Sequence, residues 1–326
     1  MKGMKRKTIR NVLRKKIEDW LKSIDDPYVR QVARENVIVT GGSITSMLLG
    51  EPINDFDIYL RTKESTIKLA EHYCNWFISL NKPNIEPYIK EVKMTNLKGI
   101  EEDRVCVYVQ SSGAVGEGNQ DEQYEYYEMT DNAQGDKAEE YVDALSMHGD
   151  KNPDSEGIEL PKYRPVFLSQ NAITLKNKVQ FVIRFYGEPE RIHNNYDFVH
   201  AMCSYDYHND QLKMPAEALE SMMSKTLVYR GSLYPICSLF RLRKFISRGW
   251  TVTAGEILKI AWQVSEIDMS NPYILREQLT GVDQAYMSEL IKLLDFKRTE
   301  AELLGKDLKE IDSTYVVKLI DEIFNE

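Results

Sequence analysis

The sequence predicts an α+β protein: a mixed β-sheet with flanking helices, followed by an all-α portion. Three observations predict it. Short apolar runs of strand length alternate with helical periods up to about residue 210. From about residue 214 the apolar spacing is helical almost to the end. The break between the two patterns falls near 210–230, where a change of layer type suggests a domain boundary. The organisation expected is a basic N-terminal helix over 1–30, a mixed head over 31–212 and a helical neck and body over 213–326.

The first element is an amphipathic helix over 8–23, with Ile9, Val12, Leu13, Ile17, Trp20 and Leu21 on one face. Eight Lys or Arg residues and no acid lie within residues 1–16. Val37–Val39 is a short apolar run followed by Thr40-Gly41-Gly42-Ser43, and residues 43–49 read as a helix stopped by Gly50. Asp55–Leu60 alternates polar and apolar, the period of a half-buried strand. A helix follows near 65–80, and Arg104–Val109 is a strand. Arg164–Leu175 and Val179–Phe185 flank Lys176-Asn177-Lys178, whose residues suit a hairpin turn. A short helix opens at Glu188-Pro189-Glu190, and Val199–Tyr205 reads as a strand. Helices then fit near 214–227, 235–248, 254–267, 283–296 and 313–324, with Thr253 and Glu256 as a capping box.

Length and composition are those of an ordinary globular chain: 326 residues, 42% hydrophobic and 29% charged. No apolar run approaches the roughly 18 residues of a membrane span, so no membrane partner is expected. The start, MKGMKRKTIRNVLRKK, lacks the apolar core of a secretory signal. Cys74, Cys106, Cys203 and Cys237 are widely spaced, with no His at ligand spacing. That argues against a structural zinc site and for a reduced, cytoplasmic protein.

The net charge of −9 conceals a split. Residues 111–160 carry 14 acids and two bases, a local charge of −12, so the other residues sum to +3. This window reads as an insertion, open to a protein partner. The acidic total therefore does not exclude a polyanionic ligand for the rest of the chain.

The chemistry-bearing segment is Gly41-Gly42-Ser43, a short helix, then Asp55-x-Asp57. Residues i and i+2 of a strand point the same way, so Asp55 and Asp57 aim two carboxylates at one place. Two carboxylates suit Mg²⁺, which is held by few carboxylates together with substrate phosphates. A Gly-Gly turn lets backbone approach a ligand, and a helix N-terminus favours an anion.

Residues 41–57, GGSITSMLLGEPINDFD, resemble the first motif of the nucleotidyltransferase superfamily, in its branch of class II CCA-adding enzymes and bacterial poly(A) polymerases. That motif runs G-G-x-V-R-D-x-L-L-G, four residues, then D-x-D, without a gap. Residues 196–202, YDFVHAM, resemble the ribose-handling motif R-D-F-T-I-N-A, and residues 235–250 resemble the neck helix. The resemblance spans about residues 30–270.

It implies a nucleotidyltransferase head followed by a helical neck and body. It implies Mg²⁺ on Asp55 and Asp57, the catalytic pair. It assigns nucleotide binding to Gly41, Gly42, Ser43, Asp197, Arg184 and Arg243. The activity implied is transfer of a nucleotide from an NTP, with ATP favoured, to an acceptor hydroxyl such as an RNA or tRNA 3′ end. RNA could be met by the basic residues 2–16 and 241–248.

The departures are specific. The motif's R-D is Thr45-Ser46, and the R-D-F-T-I-N-A motif keeps its Asp as Asp197 without its Arg and Asn. The base-reading E-D-x-x-R positions fall on Leu233, Tyr234 and Cys237, which cannot reproduce a C-then-A reading. Gln180 stands where a third carboxylate could be. CCA addition itself is not supported. The alternatives are an enzyme of this fold that modifies a small molecule or protein, and an inactive nucleotide-binding scaffold.

Overall fold

The computed structural model describes residues 3–81, 85–95, 101–111, 162–168 and 171–267, together with Gln278. Most of the acidic window and the helices expected near 283–296 and 313–324 lie outside the described residues.

Helix α1 (Arg6–Lys22) forms where the apolar period demands it. Its buried face is Ile9, Leu13, Ile17, Trp20 and Leu21. Helix α2 (Pro27–Asn36) opens on Asp26, whose carboxylate accepts from the amides of Tyr28 and Val29, with Pro27 in the first turn. Strand β1 (Val37–Thr40) leads into α3 (Gly42–Leu49), which Gly50 closes in the left-handed conformation. Strand β2 is Phe56–Leu60 and α4 is Lys63–Asn81.

A hairpin of β3 (Ile85–Thr95) and β4 (Glu101–Ser111) forms its own two-stranded sheet. Strands β5 (Pro165–Leu168), β6 (Ala172–Leu175) and β7 (Val179–Val182) return the chain to the main sheet. The β6–β7 turn places Asn177 and Lys178 at φ 62° and 59°, the left-handed pair that a tight hairpin requires. Helix α5 (Pro189–His193), β8 (Ser204–Asp206), β9 (Gln211–Lys213) and α6 (Ala216–Ser224) follow. Two-residue strands β10 (Thr226–Leu227) and β11 (Thr251–Val252) bracket α7 (Pro235–Ser247), and α8 is Ala254–Ser265.

The main sheet has the order β5-β6-β7-β2-β1-β8-β9. Within this sheet, among the described residues, only β2 and β7 pair in parallel, so the sheet is mixed. The architecture is α+β, as the sequence predicts. One face of the sheet carries Val37, Val39, Ile58, Leu60, Ile173, Phe181 and Tyr205 into the large core, where α1 and α4 cover them. Trp20 Nε1 donates to Tyr73 Oη at 2.8 Å inside this core, tying α1 to α4. The basic residues of α1 are largely engaged locally. Arg6 donates to the Leu212 carbonyl, Lys16 to the Asn177 carbonyl, and Arg14 to Glu18 and Asp210.

Four details differ from the sequence-based expectation. Residues 164–175, read as one strand, hold two strands, β5 and β6, which pair antiparallel. Residues 199–201 form a 3₁₀ turn and only Ser204–Asp206 is strand. Asp197 to His200 are all buried, so the alternation of a half-exposed strand is absent there. The capping box is half formed. Thr253 accepts from the Glu256 amide at 3.4 Å, whereas the Glu256 carboxylate accepts from the Tyr229 amide at 3.1 Å. Helix α2 and strand β3 are additional elements. Among the described residues, no helix is long and apolar enough to cross a membrane.

Candidate active site

The face of the sheet opposite the main core carries a row of polar residues. The strand registers set Ser204 opposite Thr40, Thr40 opposite Asp57, Asp57 opposite Gln180, and Gln180 opposite Thr174. Directly paired residues share a face, so Asp57 sits mid-row between Thr40 and Gln180. Asp55 precedes β2. Asp55 and Asp57 are half-buried and flank Phe56, which is in the core. Regular strand begins only at Phe56, so Asp55 lies one residue before it.

Gly41 has φ +97°, a conformation open to glycine and costly for other residues. A Cβ there would lie 2.6 Å from Asp57 Oδ2. This close approach is what sets the Asp57 carboxylate beside the N-terminus of α3. Gly42 is exposed, and a Cβ there would meet nothing within 4 Å. Ser43, the second residue of α3, is 2% exposed, and its hydroxyl has no hydrogen-bond partner among the described residues. A buried hydroxyl without a partner costs about 1–3 kcal/mol, which a bound acceptor oxygen would recover. Thr45, on the next part of the helix, donates to the His200 carbonyl at 2.7 Å and so pins α3 to the 3₁₀ turn.

Two tyrosines and a histidine back this surface. Tyr196 Oη donates to Tyr59 Oη at 3.2 Å. Burial, followed by the charge of Asp57, holds the Tyr196 phenol well above its ordinary range; burial and then Tyr196 and Asp57 do the same to Tyr59. Both stay protonated. His193 Nε2 lies 2.8 Å from Thr40 Oγ1, which donates to the Cys203 carbonyl at 2.8 Å. With that proton committed, His193 is assigned as donor through Nε2. Burial pushes its pKa down to about 4, so the ring is neutral near pH 7.

The other residues singled out in the sequence are placed as follows. Asp197 is buried and fully engaged. Oδ2 accepts from Arg241 at 2.8 Å and from Ser238 Oγ at 3.0 Å, while Oδ1 accepts from the Phe198 amide. Arg243 is exposed on α7. Helical geometry puts Arg241 on the face of Tyr234 and Ser238, and Arg243 on the exposed face of Leu239 and Ile246. Arg184 is 6% exposed, donates to Tyr234 Oη, and lies 4.3 Å over the Tyr234 ring. The structure therefore brings Asp57 against Gly41 at the start of α3, where Gly42 and Ser43 lie, while Asp55 immediately precedes β2. It places Asp197 and Arg184 in the contacts between head and α7, and Arg243 outside them.

Sequence reasoning missed Tyr59 and the part Arg241 plays at Asp197. The signal for Arg241 was its i, i+3 and i, i+7 spacing from Ser238 and Tyr234.

Among the described residues, no group of three or more His, Cys, Asp and Glu side chains is placed to hold a metal. A divalent cation here would rest on Asp55 and Asp57 and complete its shell with phosphate oxygens and water, the usual manner of Mg²⁺.

Comparison with solved structures finds a Thermotoga maritima CCA-adding enzyme complexed with tRNA, at 13% identity and TM-score 0.36. It covers 81% of this chain and 49% of that one. A tRNA-processing enzyme in an apo form gives 13% identity and TM-score 0.38, covering 91% and 58%. Likenesses this low carry no argument about activity. Among curated proteins, Gabija anti-defense 2 of Bacillus phage SPbetaL7 is 23% identical over 156 residues, which is 46% of this chain and 38% of that protein. The match thus spans well under half the length of that relative. The model of the Gabija anti-defense 2 family matches residues 11–225, which contain the whole polar row, both aspartates and the glycine turn. The chain belongs to the Gabija anti-defense 2 family.

Proposed function

We propose that this chain is a metal-dependent nucleotidyltransferase that acts against a defence system by transferring a nucleotide from an NTP to an acceptor hydroxyl. One observation carries the reading: the approach of Gly41 to Asp57, with the buried, unpartnered Ser43 hydroxyl at the same helix N-terminus. That arrangement supports a site for a cation and a polyphosphate side by side. The resemblance of residues 41–57 to the first nucleotidyltransferase motif supports the same chemistry.

In this reading Asp55 and Asp57 hold Mg²⁺. Held there, Mg²⁺ would supply charge neutralisation for the leaving pyrophosphate and activation of the attacking hydroxyl. The Gly42 and Ser43 end of α3 binds triphosphate oxygens, and the open space at Gly42 admits them. Gly41 fixes the position of Asp57. Tyr196, kept protonated, donates to the Tyr59 hydroxyl beside it. Asp197 acts as a positioning residue, holding α7 against the head through Arg241 and Ser238.

An RNA 3′ end is one acceptor. A small-molecule or protein acceptor is the second reading. The anti-defense family supports it, as do Leu233, Tyr234 and Cys237 at the positions where a base would be read. The test is incubation of the purified chain with Mg²⁺, each α-labelled NTP, and RNA, protein or small-molecule acceptors. Transfer that is lost in Asp55→Asn and Asp57→Asn is the expected result. No transfer to any acceptor, with NTP binding unchanged in both variants, overturns the proposal.

A further inference from the structure

Apart from Asp55, the described side chains placed around Asp57 bring it no negative charge. Thr40 on β1 and Gln180 on β7 stand opposite Asp57, one on each side. Neighbouring strands are about 4.7–4.9 Å apart, so these are the adjacent positions on its face of the sheet. The Thr40 hydroxyl is committed to the Cys203 carbonyl and to His193 Nε2. His193 is neutral near pH 7, because burial pushes its pKa down to about 4. Tyr59 and Tyr196 stay protonated and bond to one another. Gln180 carries an amide, which has no charge to give.

We propose that Gln180 limits this site to one tightly held divalent cation, on Asp55 and Asp57, and that a second would need a carboxylate at position 180. The presence of a cation at all rests on the nucleotidyl-transfer reading; the number is what Gln180 decides. Asp197, the residue after Tyr196, does not make up the missing charge. Its carboxylate is turned to α7 and accepts from Arg241, Ser238 and the Phe198 amide. Among the described residues, no third His, Cys, Asp or Glu joins the pair in a metal-holding group.

Charge sets the limit. Two metal ions that share a site lie about 3.5–4 Å apart. Doubly charged ions repel with four times the energy of unit charges at the same distance, since the energy scales with the product of the charges. Two carboxylates match the charge of one divalent cation and leave nothing to offset a second. Triphosphate oxygens add negative charge, but in the transfer reading they lie at Gly42 and Ser43, which follow β1. Gln180 is on the other side of Asp57, and the next position of the row is Thr174, also neutral. An amide oxygen can ligate a hard cation, yet it brings no charge. Gln180 is half-buried, so Gln180→Glu puts a carboxylate of the same shape beside Asp57.

The test counts Mn²⁺ by electron paramagnetic resonance on the full chain, with one equivalent of a non-hydrolysable ATP analogue. Loss of the free-ion signal gives the number bound, and two Mn²⁺ about 4 Å apart couple magnetically and change the bound spectrum. Wild type and Gln180→Ala are expected to hold one uncoupled Mn²⁺ per chain, and Gln180→Glu two, coupled. Two coupled ions in wild type or in Gln180→Ala overturn the proposal, whether or not Gln180→Glu folds. One ion in a Gln180→Glu variant with an unchanged urea midpoint overturns it as well. No protein-dependent Mn²⁺ in wild type, or binding that Asp57→Asn leaves untouched, brings down the cation site and the transfer reading, and this proposal with them. Two ions that both depend on Asp57 bring down this proposal alone.

Discussion

The α-carbon of Gly41 and the carboxylate of Asp57 approach so closely that a Cβ at residue 41 would stand 2.6 Å from Oδ2. The strand pairing of Thr40 with Asp57 brings them together, and the positive φ of Gly41 turns the chain into α3 at that point. Gly41→Ala therefore has two costs. It strains φ and displaces the carboxylate. The expected stability loss is about 1–3 kcal/mol, measured by urea unfolding. Nucleotidyl transfer should fall by about a hundredfold or more, because a misplacement of about 1 Å at a reacting site has that effect.

Gly42 gives the opposite pattern. Its Cβ position is open and its φ is not in the left-handed region. Gly42→Ala should leave the urea midpoint unchanged or slightly raised, since Ala is the better helix former. NTP affinity should weaken, because the added methyl enters the space assigned to phosphate. A parallel fall in stability and affinity would point to a packing role for Gly42.

Asp197 and Arg241 form the link from head to α7. The Arg241 side chain is 40% exposed and Asp197 11%, so solvent screens part of the attraction. Arg241→Gln is expected to cost about 1–2 kcal/mol. Asp197→Ala should cost more, since Ser238, Arg241 and the Phe198 amide all lose their acceptor. The double variant should cost less than the sum, as members of one network do. Arg243→Ala, on the exposed face, should stay within about 0.5 kcal/mol of wild type by the same urea measurement.

His200 makes stability depend on pH. Its ring is caged by Phe198, Phe245 and Trp250. Burial pushes its pKa from the ordinary 6.5 down to about 4. The unfolded chain then binds the proton first. This contribution to stability is complete above pH 6.5 and is lost as pH falls from 6.5 toward 4. The loss amounts to about 3 kcal/mol at most. His193 behaves in the same way, also through burial. His200→Gln should flatten the decline of the urea midpoint between pH 6.5 and 4; an unchanged slope would assign that decline to other groups.

The β1–α3–β2 unit is legible in the sequence because each of its features is local. An apolar run, a glycine pair, a helix-stopping Gly50 and an alternating strand stand within 24 residues, from Val37 to Leu60. Helix α1 is legible for the same reason, its stripe repeating over several turns. Helix α2 buries only Val29 and Ala33, too few positions to display a period, although Asp26-Pro27 marks its start. Strand β3 depends on its partner β4 for definition. Asp55 and Asp57 could be singled out from spacing alone. The choice between Arg241 and Arg243 depends on which helix face packs, and a motif match carries no such information.

The central claim is that Asp55 and Asp57 jointly hold a divalent cation beside bound triphosphate. The most direct measurement is Mn²⁺ titration followed by electron paramagnetic resonance, on the full chain with a non-hydrolysable ATP analogue. Wild type is predicted to bind Mn²⁺ more tightly than the analogue alone does, and Asp55→Asn and Asp57→Asn each to weaken that binding by about tenfold or more, at unchanged urea midpoints. Equal Mn²⁺ affinity in wild type and both variants would contradict it.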